Sequence, residues 1–318
     1  MDLAMAARVL ITTDYLRPGD KVDRLLREHG LEPIYSPSRG LRTPADRKAL
    51  FDGAVGAILA SEPVTADMLA GAASLKVIAR SGVGYDSIDT KAAQRSGIRV
   101  CNTPGVNHDA VAEMTIGLMI MAARSLPGVI QSVKDGHWPR TAGRELRGAT
   151  LGIIGYGPSG RAVARLGGAL GMTVLVSTSH PDPSDPAVRF TDLHTTISKA
   201  DYLTLHTRSD GTGKPLIDCS GLQAMKPTAI LINTARGSLI DEEALADALT
   251  GGQIAGAALD VVQDEPLTAS HRLRDVDNVL ITSHLAGQTI EARERAGVAA
   301  AHAVIDVLEG REPTNVVA

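Results

Sequence analysis

With 318 residues, 44% apolar and 21% charged, the chain is too long for one small core and has room for two α/β domains. Its formal charge of −4, with the signs interspersed, excludes the basic stripe of a nucleic-acid binder and disfavours an anionic membrane surface. Aromatics make up only 3%, so Ala, Val, Ile and Leu must build the cores and let helices pack close to parallel strands.

In chain order, Arg8 to Thr12 predicts a strand, Lys21 to His29 a helix closed by Gly30, and Glu32 to Tyr35 a second strand. Ala57 to Ala60, Lys76 to Arg80 and Arg99 to Asn102 predict three more, separated by helical patterns at Ala66 to Ala73 and Thr90 to Ser96. Strands alternating with helices imply right-handed crossovers and a parallel sheet. Cys101 to Gly105 breaks the pattern, and an apolar-faced helix follows from about Asp109 to Arg124. Its longest apolar run, Met114 to Ala123, is too short to span a bilayer. Pro127 to Gly148 reads as a polar connection containing Gly and Pro.

A second alternating series begins at Thr150. Its expected strands are Thr150 to Ile154, Thr173 to Ser177, Tyr202 to His206, Ala229 to Asn233, Gly256 to Leu259 and Val279 to Thr282. Pro181 to Pro186 is a turn-rich loop, and a final helix from Thr289 to Glu309 ends at Gly310. Cys101 and Cys219 are the only cysteines, which fits a reducing compartment better than a disulfide framework. Met1 to Leu10 lacks the pattern of a signal peptide, so the expected location is cytoplasmic.

Gly155-Tyr156-Gly157-Pro158-Ser159-Gly160 stands between an apolar strand and a helix, the context that makes this glycine pattern specific. Gly155 permits the tight turn, Gly157 lets the backbone approach a pyrophosphate, and Gly160 lets helix and strand pack. The helix dipole then faces the phosphates. An NAD-selective site carries Asp or Glu about 20 residues on. Here Thr178-Ser179-His180 follows the strand, without an acid. Thr178 and Ser179 can donate to a 2′-phosphate, so the cofactor is expected to be NAD(P)H, with NADP(H) accepted or preferred.

Three later segments lie where strand ends belong: Asn233 to Gly237, Ala258 to Pro266 and Thr282 to Gly287. In an open parallel sheet the carboxyl ends face the ligand crevice. Arg236, Glu265 and His284 are thereby candidates to converge beside a nicotinamide. Reduction of a 2-oxo acid needs a proton donor, and His titrates near neutral pH. A carboxylate on the other ring nitrogen fixes the tautomer and favours imidazolium, while a guanidinium binds a carboxylate bidentately. Singly, each residue has an ordinary use as a surface His, a loop boundary or a solvated turn; their order after the glycine turn gives them weight.

Together these motifs resemble the D-isomer-specific 2-hydroxyacid dehydrogenases, over nearly the whole chain. Ser81-Gly82-Val83-Gly84-Tyr85-Asp86 resembles that family's substrate loop, Asn102-Thr103-Pro104-Gly105-Val106 its hinge, and Val111-Ala112-Glu113 the start of its long helix. The resemblance implies two Rossmann- or flavodoxin-like domains with parallel sheets, the cofactor domain inserted into the substrate domain. Residues 1–102 with 285–318 would form the substrate domain, residues 103–284 the NAD(P)-binding domain, and the long helix a homodimer. It further implies that Arg236 binds and polarises the substrate while Glu265 supports His284 as general acid/base. Asp260 would hold the nicotinamide carboxamide, and the amides of Val83 and Gly84, within the loop from Ser81 and Gly82, the substrate carboxylate. His206, Thr207, Arg208, Thr234, Ala235 and Ala286 are assigned to the cofactor.

Departures from the family pattern narrow the expectation. Ser283 replaces a usual Pro before His284, and Thr178 replaces the Asp of NAD-preferring members. Thr207-Arg208 is unusual, and Arg208 stands either to pair with a 2′-phosphate or as a solvent-facing loop residue. Phosphoglycerate dehydrogenases usually carry Arg at the end of the third strand, where this chain has Ala60-Ser61-Glu62, and with the sequence ending at Ala318 no C-terminal regulatory domain is expected. Glyoxylate or hydroxypyruvate is therefore the leading substrate, with phosphoglycerate and phosphite as alternatives. Formate is disfavoured, because Gln is expected in place of Glu265. A catalytically silent NAD(H)-sensing protein is a further reading, although it would not need Arg236, Glu265 and His284 together. Trp138, the single Trp, either lines the pocket across a dimer contact or serves packing.

Overall fold

The computed structural model describes residues 7–37, 42–209 and 212–318; the leader reading of Met1 to Leu10 lies in part outside them. The chain divides into two compact units, Met1–Asn107 with Thr289–Ala318, and His108–Gln288.

The first unit is built on five parallel strands: β1 (Ala7–Ile11), β2 (Leu31–Tyr35), β3 (Ala54–Leu59), β4 (Val77–Arg80) and β5 (Arg99–Cys101). Their order, β2-β1-β3-β4-β5, is that of a flavodoxin-like sheet. Helices α1 (Lys21–Glu28), α2 (Pro44–Lys48), α3 (Ala66–Ala70) and α4 (Thr90–Arg95) make the crossovers. Alternate residues feed opposite layers, as strand geometry requires. Val9 and Ile11 pack with Leu26 and Val304, while Leu10 packs with Phe51 and Ile78. The chain's last helix (Ile290–Leu308) belongs here, and a Cβ at Gly56 would lie 2.9 Å from its Val304 side chain, so glycine sets that close approach.

The second unit opens with α5 (His108–Ala123) and α6 (Leu126–Lys134). Helix α6 corrects the expectation of a polar connection from Pro127. Pro127 stands in the first turn, where its missing N–H costs nothing. Ser125, at φ +49, turns the chain so that the two helices meet at 64°. Among the described residues no single helix is long and apolar enough to cross a membrane.

Seven parallel strands follow: β6 (Thr150–Ile154), β7 (Thr173–Ser177), β8 (Arg189–Phe190), β9 (Tyr202–Leu205), β10 (Ile230–Asn233), β11 (Gly256–Leu259) and β12 (Val279–Ile281). Two-residue β8 was missed because it is too short to show a period. Between the strands run α7 (Pro158–Ala169), α8 (Leu193–Lys199), α9 (Cys219–Ala224) and α10 (Glu242–Thr250), so the final helix is α11. The order β12-β11-β10-β9-β6-β7-β8 is the doubly wound Rossmann arrangement, extended by one strand. Strands β9, β10 and β11 are buried along their whole length, which is why they read as continuous apolar runs.

Candidate active site

In the second sheet the strand order reverses between β6 and β9, the kind of switch point outside whose strand carboxyl ends open α/β sheets bind their ligands. Gly155 takes φ +96, and a Cβ there would lie 2.3 Å from the carbonyl oxygen of His206. At Gly160 a Cβ would lie 2.2 Å from the carbonyl oxygen of Gly155. Only glycine allows either approach. Gly157 differs, because it faces open space and precedes α7 without a side-chain cap. Pro158 begins the helix, with half-buried Ser159 beside it. Unobstructed space at an uncapped helix N-terminus fits an anionic pyrophosphate.

Other residues assigned to the cofactor have different surroundings. Tyr156 is 7% exposed, its ring edge-on to Phe190 at 5.4 Å and its hydroxyl donating to Asp185 Oδ2 at 2.7 Å. Burial, aided by Asp185, pushes its phenol up to about 12. Its side chain is thus committed to packing. At the end of β7, Thr178 accepts from the His180 amide at 3.3 Å, and Ser179 Oγ lies 2.9 Å from His180 Nδ1. His206 places Nε2 3.0 Å from Thr204 Oγ1, and desolvation pushes its imidazole down to about 4, so the ring is neutral at pH 7. Thr207 is half-buried and Arg208 exposed.

Strands β10, β11 and β12 are in register, pairing Asn233 with Leu259 and Leu259 with Ile281. Their loops therefore leave one edge of the sheet, and these loops carry Arg236, Glu265 and His284. Asn233 organises the first loop by donating from Nδ2 to the Arg236 carbonyl at 2.8 Å and accepting from the Ala235 amide at 3.0 Å. Thr234 is buried, its hydroxyl 3.1 Å from that of Thr115, which also donates to the Val111 carbonyl at 2.7 Å. Sequence reasoning missed Thr115; the available signal was a lone hydroxyl on the apolar face of α5.

Asp260 is 1% exposed, and both its oxygens serve the next loop. Oδ1 accepts from Thr282 Oγ1 at 2.5 Å and the Leu285 amide at 2.8 Å, and Oδ2 from the buried Ala286 amide at 2.7 Å. The His284 amide donates to the Asp260 carbonyl at 2.8 Å. These bonds hold His284 at φ +59, a conformation non-glycine residues rarely adopt.

So held, His284 places Nδ1 2.8 Å from Glu265 Oε2. The Glu265 bond, opposed by desolvation and helped by the charges of Glu265 and Asp260, raises the imidazole above its ordinary value. Burial works against the Glu265 carboxylate, but His284, the Val262 amide and Arg236 outweigh it and lower its pKa. Arg236 is near enough to act electrostatically on both. With Nδ1–H donated to Glu265, Nε2 is left to carry and release a proton. The fold thereby brings the three residues together; no group of His, Cys, Asp and Glu suited to a metal ion occurs among the described residues.

In the first unit, the loop from Ser81 to Gly84 leaves β4 and is pinned through its carbonyls. Thr103 N–H donates to Gly82 O at 3.0 Å, Asn102 Nδ2 to Val83 O at 2.7 Å, and Arg80 Nε to Gly84 O at 2.9 Å. Tyr15 donates to Ser81 Oγ at 2.8 Å. Sequence reading did not single out Tyr15 or Arg80: the Tyr15 partner lies 66 residues away, and the Arg80 contact depends on how the loop after β4 turns back.

Residues 116–286 match the family described as D-isomer specific 2-hydroxyacid dehydrogenase, NAD binding domain. The chain is 37% identical over 326 residues to a glyoxylate reductase of Thermofilum pendens, covering 95% of this chain and 94% of that one. It is 39% identical over 315 residues to a D-3-phosphoglycerate dehydrogenase of Methanocaldococcus jannaschii, covering 97% of this chain but 59% of the relative. Among solved structures, an NADPH-dependent glyoxylate/hydroxypyruvate reductase of Sinorhizobium meliloti, in complex with NADP and malonate, is similar at a TM-score of 0.81. Its identity is 28%, with 98% of this chain and 97% of that chain covered. With a matched cofactor-domain profile and a relative aligned along almost all of both chains, this protein belongs to the D-isomer specific 2-hydroxyacid dehydrogenases, oxidoreductases that interconvert a 2-oxo acid and its D-2-hydroxy acid.

Proposed function

We propose that this dehydrogenase reduces glyoxylate or hydroxypyruvate, with Arg236, Glu265 and His284 as its catalytic set. The observation that carries the reading is the 2.8 Å bond between His284 and Glu265, with Arg236 acting on both. Bound nicotinamide dinucleotide supplies the hydride. Arg236 holds the substrate carboxylate and polarises the neighbouring carbonyl oxygen, a task suited to a planar guanidinium. His284 gives that oxygen the Nε2 proton, and Glu265 stabilises the imidazolium and its tautomer. Within the first unit, the Val83 and Gly84 backbone amides are by themselves suited to binding a carboxylate. Asp260, by holding the His284 turn, aims the proton donor.

A small substrate without phosphate is favoured by Glu62, just past the end of β3. Arg42 supplies a cation here that sequence reading missed, but it bonds Glu62 and the Ser36 hydroxyl and carbonyl. Both side chains are largely buried, at 15% and 8% exposed. A phosphate would have to displace a buried carboxylate, which is costly. Several relatives bear the proposed activity, including the glyoxylate reductase of Thermofilum pendens and the Sinorhizobium meliloti enzyme.

For the cofactor, the glycine turn would hold the pyrophosphate, and the absence of a carboxylate from Thr178-Ser179-His180 supports use of NADP(H). A homodimer is supported by the apolar surface of α5, α6 and the segment after them, where Ile120, Ile130, Val133 and Trp138 are exposed, Trp138 by 81%. Sedimentation equilibrium that finds only monomer would remove that assignment.

The deciding assay is a panel of 2-oxo acids with NADH and NADPH. Glyoxylate and hydroxypyruvate should give the highest kcat/KM, above 3-phosphohydroxypyruvate, and NADPH should be accepted. A clear preference for the phosphorylated acid overturns the substrate assignment, and strong discrimination against NADPH overturns the cofactor assignment.

A further inference from the structure

Glu265 and His284 carry the proposed chemistry although their side chains are 40% and 51% exposed, so burial does not hold them. The segment before Glu265 is held instead. Val261 and Val262 are 2% and 8% exposed, and a Cβ at Gly237 would lie 2.0 Å from the Val262 carbonyl carbon. The residue after Arg236 thus rests directly on the backbone leading to Glu265.

A second attachment lies one residue further on. Gln263 N–H donates to Glu242 Oε1 at 2.6 Å. Glu242 is in the first turn of α10 and 8% exposed, and its other oxygen, Oε2, lies 2.9 Å from His271 Nε2. His271 Nδ1 accepts from the Leu273 amide at 3.3 Å, so Nδ1 is unprotonated and Nε2 carries the hydrogen donated to Glu242. Every link has a defined donor and acceptor. A buried carboxylate used on both oxygens is expensive unless fully bonded, as this one is.

The geometry points to Glu242, buttressed by His271, as a positioning residue that hangs the Val261–Glu265 segment and so aligns Glu265 with His284. This rests on the assignment of Arg236, Glu265 and His284 as the catalytic set, but its primary test does not. Glu242 reaches no reacting atom; it acts through the Gln263 backbone. His284 is faced by Glu265, Asp260 and Arg236, and of these the proposal loosens Glu265. Displacement of a supporting group by ~1 Å can cost up to ~10²-fold in rate.

The test is a titration of the His284 ring by NMR in isotope-labelled protein, alongside kcat and KM for glyoxylate reduction. Glu242→Ala should lower the His284 pKa toward that of an unpaired imidazole and reduce kcat about tenfold, with KM little changed. Glu242→Gln keeps a carbonyl oxygen for the Gln263 amide but turns its NH2 toward the His271 Nε2–H, so it should restore only part of both. Should Glu242→Ala fail to fold, His271→Leu carries the same test, with a smaller shift in the same direction. An unchanged His284 titration in the folded variants overturns the proposal. Wild-type protein inactive on every 2-oxo acid would sink the catalytic reading while leaving the ring titration interpretable.

Discussion

The two sheets end in edges of different chemistry. At the edge of the first unit, Thr103, Asn102 and Arg80 bind three successive carbonyls of the Gly82–Gly84 loop, which under the proposed function leaves recognition to a pinned backbone. At the edge of the second, the backbone serves to aim titratable side chains: Asp260 is consumed in holding the turn at φ +59 from which His284 reaches Glu265. A pinned backbone suits uniform binding of a carboxylate, whereas a movable proton needs a group whose pKa lies near the working pH. The division of labour predicts that damage to the second edge lowers kcat and damage to the first raises KM.

The largest effect should come from His284→Ala, with kcat for oxo-acid reduction falling ~10²-fold or more while cofactor binding, followed by nucleotide fluorescence, persists. Near-normal turnover would erase the contrast between the edges. Next is the pH dependence. Because Glu265 raises the His284 pKa, the protonated ring that reduction needs survives above the usual histidine value of ~6.5 and is lost as pH rises through the raised value. Glu265→Gln should shift the falling limb of kcat to lower pH. A limb that stays in place would separate Glu265 from the proton donor. The smallest effect belongs to the first edge: Asn102→Ala releases the Val83 carbonyl and should raise KM about tenfold, equivalent to ~1.4 kcal/mol, with kcat nearly unchanged. Steady-state kinetics with glyoxylate reads both quantities, and a fall in kcat alone would reverse the assignment of roles.

Much of this is legible in the amino-acid sequence. The apolar runs now seen as β6, β9, β10 and β11 announced themselves because both faces of each strand are covered, and the Gly155 to Gly160 turn stood out between a strand and a helix. Helix α6 stays hidden because Pro127 and Gly128 read as the start of a polar connection, although a first turn tolerates proline. Thr115, Tyr15 and Arg42 stayed hidden too. Each acts on a residue distant in the chain, and nothing local to a Thr, Tyr or Arg marks its partner.

The chain's own order of residues determined the alternating α/β elements, the glycines that alone fit the dinucleotide turn, and the candidates Arg236, Glu265 and His284 at strand ends. Such features follow from periodicity and backbone sterics, which act over a few residues. Tertiary structure decided what holds those candidates: Asp260 beneath His284, Gly237 against Val262, and Glu242 under the Gln263 amide. Such contacts exist only once parallel strands are in register and their loops leave a common edge, and register is a property of the closed sheet.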